Sequence, residues 1–389
     1  MINNYVDSGV EWLQDIPSHW GVKTIKKLFT ESNTKNTEGN TNYLSIVKDK
    51  GVVLYSDKGN VGNKTSDHPE KYKMVEVGDI VINPMNIIIG SVGRSKYEGC
   101  LSSVYIVLKS NKGISSNYYE YIFSHKLFQK YLKRICYGIM ELRESLNKIE
   151  FYVEKLPVPP LQEQQQISDY LDYKTSKIDT LIEKTQQKIE LLKEQRTSLI
   201  NTTVTKGLNP NVEMKDSGVE WIGEIPVEWD TTQIKFICKM MRGKFSHRPR
   251  NDQRFYDGEY PFIQTGDISS TGMYLTKFNQ TLNERGFSVS KEFPIDTVVM
   301  TIAANIGDVS ILKIRSCFPD SIIGFHPYHD MSVKYLYYIL TSLKDELHKN
   351  STVSTQMNLN VERVGSIKIP LSTVQEQQQI VDYLDKETL

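Results

Sequence analysis

The sequence predicts an α+β protein of two similar domains, separated by long helices that pack as an antiparallel coiled coil. Three observations predict this fold class: two pairs of similar segments, one long stretch with neither glycine nor proline, and short strands followed by a helical patch in each half. A chain of 389 residues is long enough for two domains that each bury a core of their own.

The evidence for duplication is two pairs of similar segments. Lys155–Ser176 and Lys368–Leu389 are identical at 13 of 22 aligned positions, and both contain the run Gln-Glu-Gln-Gln-Gln-Ile. Asp7–Trp20 and Asp216–Trp229 are identical at nine of 14 positions, and each contains two tryptophans eight residues apart. The offsets of 213 and 209 residues are far too long for a solenoid repeat, so they indicate a duplicated domain.

A single long helix is predicted from Leu161 to Lys206, because straight-chain helix formers dominate this stretch. At 1.5 Å per residue it would be about 70 Å long. Its apolar residues follow a seven-residue step that Thr185 interrupts, and so narrow a stripe needs an antiparallel partner. The similar stretch Lys368–Leu389 supplies such a partner but is shorter. We therefore expect the stripe beyond Ile182 to need a further partner, and self-association stays open. The predicted seam and docking residues are Ile167, Leu171, Ile178, Leu181, Ile189, Leu192, Leu199, Ile380 and Leu384.

These features divide the sequence into four regions. We predict a first domain with its N-terminal element at residues 1–155, the central helix at 156–215, a second domain at 216–368 and the distal helix at 369–389. The prolines at 157, 159 and 160 separate the first domain from the central helix, which Gly207 and Pro210 end.

Both domains are predicted to follow one plan, in which short strands precede a helical patch. In the first domain the predicted strands are Tyr43–Val47, Gly51–Tyr55, Met74–Val77, Asp79–Asn83, Val92–Lys96 and Leu101–Leu108, before a helical patch at Ser116–Lys133. In the second they are Tyr260–Gln264, Thr297–Thr301 and Val309–Lys313, before a helical patch at Ser332–His348.

Composition and charge limit the class of protein. Hydrophobic residues make up 39% and charged residues 24%, and no apolar run reaches the 18 or so residues that span a bilayer. The net charge is zero, so only a local basic surface could support binding to a polyanion. The four cysteines form no Cys-x-x-Cys pair, which indicates buried thiols in a reducing cytoplasm rather than disulfides or a metal site.

Known catalytic motifs are absent or incomplete, so we predict no catalytic residue and no metal site in this chain. The glycines and lysine of 59–65 have the wrong spacing for a phosphate-binding loop. Asn83-Pro84-Met85-Asn86 lacks the second proline and the aromatic residue of the amino-methyltransferase motif. His326 and His329 have no third ligand at metal-binding spacing. A catalytic triad scattered through the sequence stays open.

Basic clusters in both halves are the better guide to function. In the second half, Lys239–Arg254 holds six basic residues against one aspartate and is predicted to be a loop, as is Gln264–Gly272 after a strand. Basic residues recur in what we take to be matching loops of the first half. A solvated charged loop is the alternative, but the density favours contacts with phosphates and base edges. The predicted DNA-binding residues are Lys48, Lys50, Lys58, Lys64, Arg94, Arg143, Arg242, Lys244, Arg248, Arg250, Arg254, Gln264, Thr265 and Gln356.

Taken together, these segments resemble the specificity subunit of a type I restriction-modification system. The resemblance is carried by Leu-Pro-Val-Pro-Pro-Leu-Gln-Glu-Gln at 156–164, its echo at 369–377, and the two Asp-Ser-Gly-Val-Glu-Trp elements. Arg242-Gly-Lys, the run from Tyr260 to Ile268 and the run from Ser354 to Asn360 also match. It covers essentially the whole chain.

The resemblance implies that each unit is a target recognition domain that reads one half of a split, asymmetric sequence in double-stranded DNA. It further implies that the helices set the unspecified spacer and dock two modification subunits, which restriction subunits join. S-adenosylmethionine, ATP and Mg²⁺ would then belong to those partners, with no cofactor in this chain, no membrane association and a cytoplasmic location. The alternatives are a stand-alone DNA methyltransferase or nuclease with built-in recognition, and a coiled-coil interaction protein.

Overall fold

A computed structural model describes residues 4–59, 68–138, 145–328, 331–352 and 359–388, with 349–352 described in their backbone only. The chain divides into two compact units, Met1–Glu183 and Lys184–Leu389. The division falls inside the central helix, so each unit contains one part of it.

The first unit is built from short strands. They are β1 (Tyr5–Asp7), β2 (Asp15–Pro17), β3 (Gly21–Thr24), β4 (Phe29–Glu31), β5 (Leu44–Val47), β6 (Gly51–Leu54), β7 (Lys73–Val75), β8 (Ile80–Ile82), β9 (Val92–Arg94), β10 (Gly99–Leu101), β11 (Ile106–Ser110), β12 (Cys136–Tyr137), β13 (Ser145–Leu146) and β14 (Lys155–Val158). Its helices are α1 (Ile25–Leu28), α2 (Ser116–Ser124), α3 (Lys126–Leu132), α4 (Lys148–Val153) and the start of α5 (Leu161–Lys206), with 3-10 turns at Tyr55–Lys58, Pro69–Lys71, Ile87–Ile89 and Lys133–Ile135.

The core of the first unit is an antiparallel sheet of order β4-β11-β8-β9. Its apolar strands are buried on both faces, because side chains alternate along a strand. Ile80 and Ile82 pack into the core that contains Phe123 of α2, whereas Val81 between them packs into a second core with Leu44 of β5. The helical patch covers one face of the sheet and the β5–β6 hairpin the other.

The second unit repeats this plan. Its strands are β15 (Met214–Asp216), β16 (Glu224–Pro226), β17 (Asp230–Gln233), β18 (Cys238–Arg242), β19 (Tyr256–Pro261), β20 (Tyr274–Leu275), β21 (Thr281–Leu282), β22 (Glu292–Phe293), β23 (Val298–Thr301), β24 (Val309–Leu312), β25 (Ser316–Cys317), β26 (Ile322–Pro327) and β27 (Lys368–Leu371). Its helices are the end of α5, α6 (Ile234–Ile237), α7 (Thr265–Ser270), α8 (Glu284–Ser288), α9 (Val333–Ser342), α10 (Lys344–Thr352), α11 (Val361–Gly365) and α12 (Val374–Thr388), with a 3-10 turn at Gln253–Phe255.

The two units have the same sheet topology, which confirms the predicted pair of similar α+β domains. The sheet order β18-β26-β23-β24 repeats β4-β11-β8-β9, and β20 adds a parallel edge strand in the second unit. The small pairs correspond as well: β17 pairs with β27 as β3 pairs with β14, and β15 pairs with β16 as β1 pairs with β2.

The predicted helix is one continuous α5, Leu161–Lys206. From residue 172 to residue 195 every side chain is exposed. Its end packs against α12 in an antiparallel arrangement, because Arg196 Nε donates to Thr388 O (3.4 Å) whereas Gly207 lies beside Glu376, near the start of α12. Ile200, Val204 and the α12 seam residues Ile380 and Leu384 are buried there.

Several local predictions were wrong. The predicted strand Leu101–Leu108 is interrupted by a turn in which Tyr105 N donates to Ser102 O (3.1 Å), so β10 and β11 are separate. The predicted loop Gln264–Gly272 contains α7, and the strand predicted at Tyr260–Gln264 begins earlier and ends at Pro261. Each predicted helical patch is two helices.

No helix in the described ranges is long and apolar enough to cross a membrane.

Candidate nucleic-acid interface

Three of the arginines predicted in the second unit lie around Asp320, and two of them, Arg248 and Arg250, contact its carboxylate. Arg242 lies at the end of β18, where Nε donates to the backbone oxygen of Asp320 (2.6 Å). Arg248 Nη2 lies 3.5 Å from Asp320 Oδ2, and Arg250 forms an ion pair with the same carboxylate. Asp320 precedes β26, which is the neighbour of β18 in the sheet, so the sheet itself brings these groups together. The guanidinium groups of Arg248 and Arg250 remain about half exposed.

Arg248 also organises its own loop. Its Nη1 donates to the backbone oxygens of Phe245 (2.7 Å) and His247 (2.8 Å). The Arg248 side chain therefore uses part of its hydrogen-bonding capacity inside the loop, whereas the Arg250 guanidinium pairs with the half-buried Asp320 and its backbone oxygen accepts from Tyr256 Oη. Arg250 is consequently the better placed of the two to exchange a carboxylate for a phosphate or a guanine edge.

A second carboxylate, Asp252, organises the rest of the loop. Arg254 binds it through Nε (3.0 Å) and Nη2 (2.7 Å), and this contact is the main reason that the pKa of Asp252 is held well below its usual range. His247 Nε2 lies 3.1 Å from the same carboxylate, and the imidazole stacks on Phe255 with ring centres 3.9 Å apart. Arg254 is 72% exposed, so its charge faces solvent from a fixed position.

A small aromatic core supports this basic loop. Phe245, Tyr256, Phe262 and Leu282 are buried together, although the loop above them is polar. Their packing joins the loop to β19, which leads directly to α7.

Helix α7 begins with the predicted binding residues Gln264 and Thr265. Asp267 is 4% exposed, and its Oδ2 accepts a hydrogen bond from Gln264 N (2.8 Å), which is the capping contact that starts the helix. Asn279 Nδ2 donates to Oδ1 of the same residue (2.6 Å), and Gln264 Nε2 donates to Gln280 Oε1 (2.9 Å). The two glutamine side chains thus form a fixed amide pair beside the helix start.

In the first unit the structure brings Lys48 and Lys50 together with a residue that the sequence analysis missed. Both lie in the β5–β6 turn, and Lys50 lines a polar hollow of about 290 Å³ with Lys126 from the first turn of α3 and with the carboxylates of Asp49 and Glu120. Gly90 adopts a positive φ of 98° at the same place, and the ammonium of Lys126 approaches it closely. Only the three-dimensional fold reveals this cluster, since 76 residues separate Lys50 from Lys126.

The other predicted binding residues of the first unit that the structure describes already contact side chains of their own unit. Arg94 lies on β9 and is held by Glu120, which accepts from its backbone nitrogen (2.9 Å) and from Nε (3.4 Å). The ammonium of Lys58 lies over the ring of Tyr55, 4.6 Å from its centre. The predicted residues Lys64, Arg143 and Gln356 lie outside the described residues.

The two basic clusters do not lie in matching loops, contrary to the prediction. The backbone of Cys100 forms an isolated parallel β-bridge with Tyr43 in the first unit, and that of Cys317 forms one with Phe262 in the second, so these positions correspond. The β5–β6 turn of the first unit therefore corresponds to the α7 region, and the arginine loop corresponds to the segment between β4 and β5. The units share a scaffold and differ in the loops that carry charge.

Comparison with known proteins identifies the family. The model of the type I restriction modification DNA specificity domain matches residues 17–191 and again 226–388. The chain belongs to this family. The predicted role, DNA sequence recognition as the specificity subunit of a type I restriction-modification system, is thereby confirmed.

Curated relatives and solved structures agree. The chain is similar to the MjaX specificity subunit of Methanocaldococcus jannaschii, with 24% identity across 95% of this chain and 87% of the relative. It is 24% identical to the MjaVIII specificity subunit of the same organism over 81% of this chain and 75% of that one. Its fold is similar to that of the HsdS subunit from Thermoanaerobacter tengcongensis, with a TM-score of 0.55, 15% identity and coverage of 97% and 91%. A chain from a type I R-M complex, solved for its assembly and conformational transition, gives a TM-score of 0.64 with 16% identity over 95% and 90%.

The predicted seam of this specificity subunit is partly buried and partly exposed. Ile167 packs against the core of the first unit, Leu171 is half-buried beside it, and Leu199 packs against the core of the second. The middle of the seam is exposed, at 44% to 66% of each side chain, and consists of Ile178, Leu181, Ile182, Ile189 and Leu192.

Groups that could carry other chemistry are few among the described residues. No group of three or more His, Cys, Asp or Glu side chains in those ranges could hold a metal ion. His326 lies on β26, and His329 is outside the described residues. None of the four cysteines forms a disulfide, all four are buried, and burial raises the pKa of Cys238 to about 12.

Proposed function

We propose that each unit of this specificity subunit reads one half of a bipartite, asymmetric DNA sequence, and that the chain performs no catalysis itself. One observation carries the proposal: a single sheet scaffold occurs twice, and each copy presents basic groups from different loops. Duplicated scaffolds with different loops suit the reading of two different short sequences.

The chemistry of the loops supports double-stranded DNA as the ligand. Arginine can donate two hydrogen bonds to guanine, and an amide such as that of Gln264 or Gln280 can pair with adenine. Lys48, Lys50 and Lys126 provide the positive charge that phosphates require. The overall charge of the chain is zero, so partner subunits would contribute part of the basic surface around the duplex.

The helices serve as spacer and docking surface in this proposal. Linking two readers makes the second contact intramolecular, so each can be weak. Half-sites about 34–36 Å apart lie on one face of the duplex, and a helix about 70 Å long can bridge that separation. The exposed seam from Ile178 to Leu192 is suited to helices of two modification subunits, to which restriction subunits would be added. S-adenosylmethionine, ATP and Mg²⁺ would act in those partners, in the cytoplasm.

DNA selection tests the proposal. The purified chain, alone and with its modification subunits, is incubated with a random duplex library and the bound sequences are determined. We expect two short specified sequences at one fixed separation, and an affinity that falls steeply with salt. Methyl transfer by the purified chain alone would instead favour a stand-alone methyltransferase. Failure to bind any duplex, alone or with the modification subunits, would favour a coiled-coil interaction protein.

A further inference from the structure

The starts of α5 and α12 are attached to their own domains by similar sets of contacts. The hydrogen bonds come from two positions eight residues apart, 164 and 172 on α5 and 377 and 385 on α12, with a buried residue between them at 168 and 381. The partner in each unit is the first helix of the helical patch, α2 or α9. The repetition indicates that the Gln-Glu-Gln motif helps to orient each helix on its domain.

In the first unit, Gln164 fixes the first turn of α5. The side chain is 1% exposed; its Nε2 donates to Pro159 O (2.9 Å) and its Oε1 accepts from Ser115 N (2.9 Å), the residue that caps α2. Two turns later, Asp172 accepts from Tyr121 Oη (2.6 Å) and from Asn117 Nδ2 (2.8 Å), both on α2.

The second unit has equivalent contacts with partly different partners. Gln377 is 1% exposed; its Nε2 donates to Ser372 O (3.2 Å) and its Oε1 accepts from Ser332 N (3.5 Å), the residue that caps α9. Asp385 accepts from Tyr338 Oη (2.7 Å) and forms an ion pair with Lys334. The aspartate and the tyrosine are thus common to both units, and lysine replaces asparagine at the third position.

A contact further along a rigid rod restrains its direction more than one at its start, because it acts over a longer lever arm. The buried glutamine and an apolar neighbour, Ile167 or Ile380, hold the start of each helix against its own core, and the aspartate holds the helix two turns after the glutamine. A tilt of about 3° would displace the far end of α5, about 70 Å away, by roughly 3.5 Å, which is about one base-pair step, whereas the same tilt would move the end of the shorter α12 by only about a third of that. Loss of the aspartate contact would therefore allow a displacement large enough to change which separation of half-sites the protein accepts.

We propose that Asp172 and Asp385 are positioning residues, which fix the direction of each spacer helix relative to its recognition domain and so determine how strictly the half-site separation is read. This inference rests on the proposed function. It adds specific residues to it, because helix length alone does not fix a separation when the helix can pivot on its domain.

The test measures spacing selectivity separately from base preference. Wild-type full-length chain is titrated with duplexes that carry its two selected half-sites at separations varied one base pair at a time. In the variants Asp172→Ala and Asp385→Ala, we expect both half-sites to keep their base preferences. The affinity ratio between the best separation and its neighbours should fall roughly fivefold, the scale of one ordinary hydrogen bond. Tyr121→Phe should lower the ratio in the same direction but by less, because it removes only the Tyr121 hydroxyl and leaves the hydrogen bond from Asn117 to Asp172.

Matched controls are available one turn away. Asp169 and Asp382 are aspartates on the same helices whose carboxylates accept from Gln165 and Gln378 of their own helix, so Asp169→Ala and Asp382→Ala should leave spacing selectivity unchanged. A wild-type chain with no preferred separation would overturn the proposed function, and this inference with it. A wild-type preference that persists unchanged in folded Asp172→Ala and Asp385→Ala would overturn this inference alone.

Discussion

The junctions between helix and domain differ in how far they are enclosed. In the second unit, Trp229 is 1% exposed, its Nε1 donates to Glu376 Oε2 (2.7 Å), and Gly207 at the end of α5 packs on its ring. In the first unit, Trp20 is partly exposed, and its Nε1 has no hydrogen-bond partner among the described residues.

Glu163 of the first unit is equivalent to Glu376 but has a different partner. His19 Nε2 lies 2.8 Å from Glu163 Oε2, and a groove of about 810 Å³ runs beside Trp20. The same sequence element thus forms a closed junction where a second helix end packs on it, and an open one elsewhere. The helices therefore complete the domains as well as connecting them.

The sheets differ at one equivalent position as well. Leu108 pairs with Glu31 and Ile80, and Phe325 pairs in the same way with Met240 and Val298, so Glu31 corresponds to Met240. Met240 packs against the apolar core of the second unit. The first unit therefore has an ionic network at the position where the second unit has the apolar Met240.

Glu31 is the centre of that network. Its carboxylate contacts Lys73 (3.0 Å), Lys148 (2.7 Å) and Tyr152 (2.7 Å). Burial alone would raise the pKa of Glu31, but the hydrogen bonds from these three side chains together outweigh it and lower the pKa to about 2.

The largest expected effect tests the enclosed junction. Trp229→Ala should reduce the free energy of unfolding of the second unit by about 3–5 kcal/mol, because it removes a fully buried ring. Trp20→Ala should cost the first unit only about 1–2 kcal/mol, since its ring is already partly exposed. Hydrogen exchange read by mass spectrometry gives the opening free energy of each unit separately. Equal losses in the two units would contradict the comparison.

Lowering the pH should destabilise the first unit through the network of Glu31. The folded pKa of Glu31 lies below its usual value of 4.5, so its contribution to stability is present above pH 4.5 and is lost as pH falls towards 2. We expect Glu31 to account for about 2 kcal/mol of the stability that the first unit loses over this range, as followed by hydrogen exchange or by unfolding in denaturant. Glu31→Gln should remove that part of the pH dependence. If the first unit of Glu31→Gln stays as acid-sensitive as that of the wild type, the network is not the cause.

Arg250→Ala should weaken binding at one half-site. We expect a loss of about 1–2 kcal/mol for the half-site read by the second unit and no change in base preference at the other. Arg248→Ala should weaken the same half-site, partly by loosening the loop. The control is Arg315→Ala, an exposed arginine of the same unit that is held by Glu292. A changed preference at the first half-site would refute the assignment.

The smallest effect concerns the lysine cluster of the first unit. Lys126→Ala should weaken binding by about 0.5–1 kcal/mol for all sequences at the first half-site and reduce the slope of log affinity against log salt by about one. Titration at several salt concentrations measures both. An unchanged slope would place Lys126 away from the phosphates.

The sequence predicted those features that depend on local pattern and repetition. Helix α5 was predictable because its stretch contains no Gly or Pro, and the two domains were predictable because their flanking elements repeat. Helix α7 was missed, since Gly266 and its polar neighbours are typical of a loop and outweighed the local capping signal of Gln264 and Asp267, which are three residues apart. Asp320 was missed because 70 residues separate it from Arg250, and only the pairing of β18 with β26 unites them.

Inserting one heptad into the exposed part of α5 tests the central claim most directly. Seven residues lengthen the helix by about 10 Å and keep the same face towards its partner, a distance close to three base pairs. We expect the selected half-sites to keep their sequences while the preferred separation increases by about three base pairs. An unchanged separation, with both half-sites still recognised, would contradict the claim that the helix fixes the distance between two independent readers.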